Sequence, residues 1–436
     1  MGALSCNVAV GPDSFGDRLR SLPAELIALW EACERDVPDL GPPVGWLRKQ
    51  SNARAARCLI DQLADEVVRL PRDEPDRAAW RDTVRERLQQ FGEQRLNWPD
   101  GYRRLLFGDQ FYESTIDFVR GARSFDPAMR LADIGQALRN VWIGNSFQML
   151  LDQPVALRSG LFGYSMLYPV TDNWLDDPAV PSDVKRSFGD WLARRLAGEP
   201  VQPANPHQAA VGRLVERIER EFSRDRCSAV YQSLLAINEA QTTSLRQHGD
   251  TTLSDGELLA ISMAKGGTSV LVDLHLVAAS PTRIEEQFAF SYGVCLQLLD
   301  DVQDVEADLA ANHQTMCTRA AQCGPLDEIA ARLARFIDAV LLHSERFGDE
   351  AYADRIDLIR RNCLALLVGS VAEQPARFSR GFRRGLAGSW PVSFRSHRRL
   401  HRRALARVAE DAPHLSRAII EAFPRRRSFP CAQPQS

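Results

Sequence analysis

Apolar residues recur at steps of three and four along nearly the whole chain, and strand-like alternation is scarce. Segments such as "AELIALWEAC", "RCLIDQLADEVVRL", "VGRLVERIEREF", "IAARLARFIDAVLLHSERF" and "RIDLIRRNCLALLVGSV" are either striped on one face or apolar throughout. Proline and glycine fall between them, in "DLGPPVG", "LNWPDG", "DDPAVPSD", "GEPVQPANP" and "ASPT". This pattern predicts an all-α fold of many helices with short connections. No repeat of fixed period interrupts it and no linker divides it. One domain is therefore expected over 21–423, with 21–95 as an added helical layer. Residues 1–20 are expected to be loose, and the polar, proline-punctuated 424–436 to be a disordered tail.

Composition narrows the picture modestly. At 44 % hydrophobic and 25 % charged, with a net charge of −3, the chain has a core-forming balance and no global attraction to nucleic acid. Its nine cysteines are scattered without a C-x-x-C pair, which fits structural thiols in a reducing compartment. The best candidate for a membrane span, "CLALLVGSVA" at 363–372, is half the roughly 20 residues that one needs. The N-terminus lacks a basic region before an apolar stretch, so a cytoplasmic protein, not an integral membrane one, is expected. Only Lys49, Lys185 and Lys265 interrupt an otherwise arginine-based set of cations.

Charge patterning changes the picture more. Ser280 followed by Pro281 reads as a helix start, with Glu285 and Glu286 near its positive end. From there Gly293, Gln297, Asp300, Asp301, Asp304 and Asp308 run along one stripe, beside an apolar stripe of Phe288, Tyr292, Cys295, Leu299 and Val302. Like charges one turn apart cost about 0.2–0.5 kcal/mol per pair, so the ladder is either a solvated face or a cation site. A second cluster, "YPVTDNWLDDP", supplies Asp172, Asn173, Asp176 and Asp177 at the C-terminal end of an aromatic helix. Carboxylates there oppose the helix dipole by about 0.3–1 kcal/mol each unless they hold cations. Two all-oxygen clusters without His or Cys suit a hard ion such as Mg²⁺, which commonly bridges carboxylates to phosphates.

These residues carry a resemblance. "DNWLD" resembles the first aspartate-rich motif, D-D-x-x-D, of the trans-isoprenyl diphosphate synthases, with Asn173 in place of the second aspartate. "YGVCLQLLDDVQDVEAD" is similar to the second motif, G-x-x-x-Q-x-x-D-D-x-x-D, matching Gly293, Gln297, Asp300, Asp301 and Asp304. Between them, "AQTTSLRQ" keeps Gln241 of a G-Q-x-x-D segment with Ser244 for the aspartate, and "AKGGTSVL" resembles the K-T segment with Lys265. The resemblance covers residues 160–310 and implies the class I isoprenoid (terpenoid) synthase fold, a helical bundle around a deep apolar cavity.

The resemblance further implies roles. Asp172, Asn173 and Asp176 on one wall, with Asp300, Asp301, Asp304 and Asp308 on the other, would hold about three Mg²⁺ ions around a prenyl diphosphate. Gln241, Gln297 and Lys265 would contact that substrate, and Asp172, Asp176, Asp300, Asp304 and Lys265 would be catalytic. Tyr164 and Tyr168, eight and four residues before Asp172, would either line the pocket that shelters a carbocation or simply pack in the core. The family commonly forms homodimers.

Chain-elongating members carry an Arg pair after the first motif and a G-K-x-R segment. Here Lys185 and Arg186 lie beyond two prolines, and "LRKQSNAR" imitates G-K-x-R only loosely. Asp300, Asp304 and Asp308 instead have the i, i+4, i+8 spacing of the second metal triad of class I terpene synthases. The favoured expectation is a terpene synthase, with a trans-polyprenyl diphosphate synthase as the alternative. A head-to-head coupling enzyme and a non-catalytic relative remain open. The arginine-rich stretch 377–403 has three readings: a solvated helix face, a lid in which Arg395, Arg398 and Arg399 cover the diphosphate, or a surface for anionic membranes or nucleic acid.

Overall fold

α-Helices form every regular element among the described residues apart from two short 3-10 turns, in a computed structural model that describes residues 15–71, 73–106, 108–177, 179–248, 252–278 and 280–410. In chain order they are α1 (Phe15–Ala32), α2 (Trp46–Val68), α3 (Glu74–Leu96), α4 (Asp100–Leu106), α5 (Asp109–Phe125), α6 (Leu131–Leu150), α7 (Ser159–Asp176), α8 (Ser182–Leu196) and α9 (Pro206–Glu219). Then follow α10 (Ser228–Ser244), α11 (Asp255–Val277), α12 (Arg283–Gln303), α13 (Val305–Ala310), α14 (Met316–Cys323), α15 (Asp327–Leu342), α16 (Ala353–Glu373), α17 (Arg380–Ser389) and α18 (Phe394–Glu410). No strand occurs among the described residues, as the periodicity requires. The stretch 424–436 lies outside them.

Helix α11 organises the rest. It is mostly apolar beyond its first turn, interrupted by Lys265 and Asp273, and it is buried over most of its length. Val270, Leu271 and Leu274 enter a core shared with α1, α12, α15 and α16, whereas Val272 and Leu276 enter a second core formed with α5 to α10. A capping box fixes its start: the Ser254 hydroxyl accepts from the Glu257 N–H, and Glu257 accepts in return from the Ser254 N–H.

The start of α12 differs from expectation. Its cap is Thr282, two residues beyond Ser280. Thr282 accepts from the Glu285 N–H at 3.3 Å and Glu285 accepts from the Thr282 N–H at 2.8 Å. This T-x-x-E box satisfies two terminal donors at once, where Ser280–Pro281 would satisfy one.

The N-terminal region also divides differently from a single added layer. Leu22, Leu26 and Trp30 of α1 are buried in the core beside α11, α12 and α15, each contributing about 1.5–3 kcal/mol, which orders residues 15–20 with them. Only α2 and α3 form an outer layer, joined by Trp80 packing near Leu70 and by α18 lying alongside α2.

Candidate functional site

The site begins with two glycines. Gly266 of α11 and Gly293 of α12 face each other so closely that a Cβ on either would penetrate the other's carbonyl. The missing side chains let the two backbones touch, which brings Lys265 and Gln297 to one rim. Beside this seam opens a cavity of about 620 Å³, within the 300–1,000 Å³ typical of small-molecule sites. Helices α6, α11, α12 and α16 wall it, and the α3–α5 stretch closes one side. Trp98, Tyr102, Phe111, Trp142, Ile143 and Tyr292 make most of that wall apolar and aromatic.

Charge gathers at a limited part of the lining, around Lys265, Arg139, Tyr168, Gln297 and Asp300. Lys265 Nζ lies 3.1 Å from Asp172 Oδ1, and both side chains are largely buried. This ion pair ties α11 to the C-terminal end of α7. Across from it Arg139 Nη1 of α6 stands 3.8 Å from Asp300 Oδ1. Burial, then the neighbouring Asp304, push the Asp300 carboxyl up to about 6, against the pull of Arg139 and Lys265. Asp172 acts in the same direction on Asp300, so the carboxylates from the two acidic segments feel each other across this corner. Asp172, burial and Asp300 together push the Tyr168 phenol well up, so it remains a neutral hydrogen-bonding group.

Other candidates are placed apart from this corner. Asn173 is exposed and donates to Asp133 of α6 at 3.3 Å, turned off the cavity face. Asp176 closes α7, and its side chain is outside what is described. Asp301 is buried against α11, where it accepts from Ser262 at 2.8 Å and from Gln297 at 3.0 Å. Burial raises it to about 6 despite those donors. The acidic stripe is broken at Asp304, which caps α12 with φ −98° and ψ 5°; it is accessible to solvent yet crowded by protein on one side, and that partial desolvation, then Asp308, raises its carboxyl. Asp308 belongs to the separate α13 and pairs with His313 Nδ1 at 3.1 Å, with His313 stacked on His248. Adjacent helical positions diverge by about 100°, so Asp300 and Asp301 cannot face the same way.

Gln241 and Tyr164 line a smaller cavity of about 30 Å³ beside the main one, and Tyr168 lines both. Tyr164 donates to the Ser269 carbonyl at 2.8 Å and packs in the second core. The lid does not form from α18 in this structure. Arg398 donates to the Ala372 carbonyl at 2.7 Å, and Arg395 and Arg399 stand exposed on a helix packed against α2 and α16. None of the three lines the cavity.

The structure adds Arg139, Asn140 and Trp142 of α6, and Arg355 and Arg361 of α16, none of which carried a sequence signal of its own. Arg355 pairs with Asp152 at 2.7 Å and Arg361 with Asp357 at 2.8 Å, and Arg355 Nη1 is buried without a hydrogen-bond partner. Among the described residues no three His, Cys, Asp or Glu side chains converge as a metal-holding group. The donors nearest the cavity, Asp172, Asp300 and the adjacent Asp304, are all oxygen. Such an all-oxygen carboxylate set is the donor chemistry that a hard divalent cation takes. Comparison with protein-family models, with curated proteins and with solved structures finds no match for this chain.

Proposed function

We propose that the protein is a Mg²⁺-dependent class I terpene synthase that ionises one prenyl diphosphate and lets the carbocation cyclise or be quenched. The single observation that carries this reading is the cavity: an aromatic chamber of about 620 Å³ with Lys265, Arg139 and Asp300 grouped in its lining. Asp172, Asp300 and Asp304 would hold Mg²⁺, which when bound supplies neutralisation of the departing diphosphate.

The remaining chemistry falls to the chain. Lys265 and Arg139 bind and orient the diphosphate oxygens by charge-assisted hydrogen bonds. Tyr168, held neutral, presents a phenol at the junction of the charged and apolar linings. Tyr292, Trp142 and Phe111 exclude water and present ring faces that attract a cation. The lack of a G-K-x-R segment, and of an Arg pair directly after Asp176, supports a one-diphosphate reaction over prenyl transfer, which needs a second anion site.

The test is incubation with Mg²⁺ and single allylic diphosphates, from geranyl to geranylfarnesyl, followed by analysis of the organic extract and of released diphosphate. Hydrocarbon or alcohol products from one substrate alone are expected, with loss in Asp300→Ala and Asp172→Ala. Turnover only on addition of isopentenyl diphosphate would establish the prenyltransferase instead. Full activity in both variants would move the site elsewhere.

A further inference from the structure

The arginine-rich segment that does not cover the cavity lies where it can meet something outside the molecule. Residues 374–409 contain ten arginines and no Asp or Glu, in a chain whose total charge is −3. Residues 40–60 contain Arg48, Lys49, Arg54 and Arg57, again with no acid. The fold places these two stretches side by side. Arg403 and Arg407 of α18 pair with Asp61 and Asp65 of α2 at 2.6 and 3.4 Å, and Asn52 of α2 donates to the Pro391 carbonyl at 3.0 Å. These contacts keep a constant offset, so the helices run parallel and their basic N-terminal halves coincide.

The outward side of α18 is built in two adjacent stripes. Arg395, Arg399 and Arg402 form one, exposed and without a carboxylate partner among the described residues. Leu405 and Val408 belong to the next and are 56 % and 45 % exposed. At the head of α2, Trp46 and Leu47 are 70 % and 76 % exposed. Of the ten large apolar side chains exposed among the described residues, five lie on α2 and α18. A solvated face explains the guanidiniums but not this concentration of exposed Trp and Leu beside them.

We propose that the α2–α18 face is a peripheral docking surface for an anionic phospholipid bilayer. Guanidiniums would lie among the headgroups, with Trp46 and Leu47 seated at the interfacial level, where indole rings are favoured. Nucleic acid would use the same cations but leaves the exposed apolar side chains without a partner. The inference does not depend on the reaction proposed above.

The test is co-sedimentation of the full chain with vesicles of phosphatidylcholine alone and with phosphatidylglycerol making up about one third of the lipid. Binding is expected only to the anionic vesicles, and it should fall sharply near 1 M salt, where the screening length is about 3 Å. The triple variant R395Q/R399Q/R402Q, with an unchanged circular dichroism spectrum, should bind more weakly by about fivefold per guanidinium, about a hundredfold in all. Trp46→Ser should weaken binding even at low salt. Absence of binding to both vesicle types, equal binding to both, or tighter binding to a mixed-sequence DNA duplex than to the anionic vesicles would each overturn the proposal. The salt dependence of the unmodified chain decides the matter even if a variant misfolds.

Discussion

Replacing Lys265 with methionine would leave Asp172 as an unpaired carboxylate in a nearly closed setting. The two side chains are 16 % and 12 % exposed, and the charged atoms are 3.1 Å apart. At an effective dielectric constant of about 20 the gross attraction is about 5 kcal/mol. Removing one partner of a buried pair costs about 3–5 kcal/mol, and the residual exposure places Lys265→Met at the lower end, about 3 kcal/mol. Asp172→Asn should cost less, about 1–2 kcal/mol, because the flexible lysine stem can carry its ammonium into the cavity. The double variant should then cost less than the sum of the two, by about 2 kcal/mol. Urea unfolding of the four proteins, followed by tryptophan fluorescence with a chelator present, measures this directly. Additivity to within about 0.5 kcal/mol would refute the pair as a buried, coupled interaction.

Four further outcomes follow from the geometry. Gly293→Ala should destabilise by about 1–3 kcal/mol, since its Cβ meets the Gly266 carbonyl, whereas Gly256→Ala, with open space around it, should stabilise by up to about 1 kcal/mol; equal urea midpoints would contradict the close seam. Burial pushes the Glu286 carboxyl up, but His275 and Arg18 outweigh it, and the net value lies below the usual 4.5. Its contribution is therefore complete above about pH 4.5 and lost as pH falls through the lower folded value, so Glu286→Gln should flatten the acid limb of stability against pH; an unchanged limb refutes this. Tyr168→Ala joins the two cavities that the ring separates and should alter the product distribution by chromatography; an unchanged distribution makes the residue packing only. A chelator should abolish diphosphate release and Mg²⁺ restore it; retention of activity would exclude the carboxylates as cation ligands.

Much of the framework was legible in the sequence because burial and period go together: the segments striped at helical spacing form helices, and the acidic cluster at 172–177 marks the end of α7. The finer placement was not legible, for local reasons. Asp300 and Asp301 are both acidic, and only the position of Ser262 on the neighbouring helix turns Asp301 inward. The end of α12 at Asp304 separates Asp308 from a stripe that looks continuous in one dimension. The arginines at 395–399 give a charge but no address, because their helix packs against α2, far away along the chain. Arg139 and Trp142 carry no motif; they matter because α6 happens to run past the glycine seam.

That seam has a mechanical consequence. Two backbones in direct contact have no side chains between them to compress, so the wall carrying Lys265 and Gln297 is stiff. The side closed by the α3–α5 stretch includes the seven-residue α4, anchored by the Tyr102 hydroxyl donating to Asp357 at 2.8 Å. Accommodation of guests of different length would therefore fall to α4, and substitutions at Leu105 and Leu106 are the natural means of resizing the chamber without disturbing its charged corner.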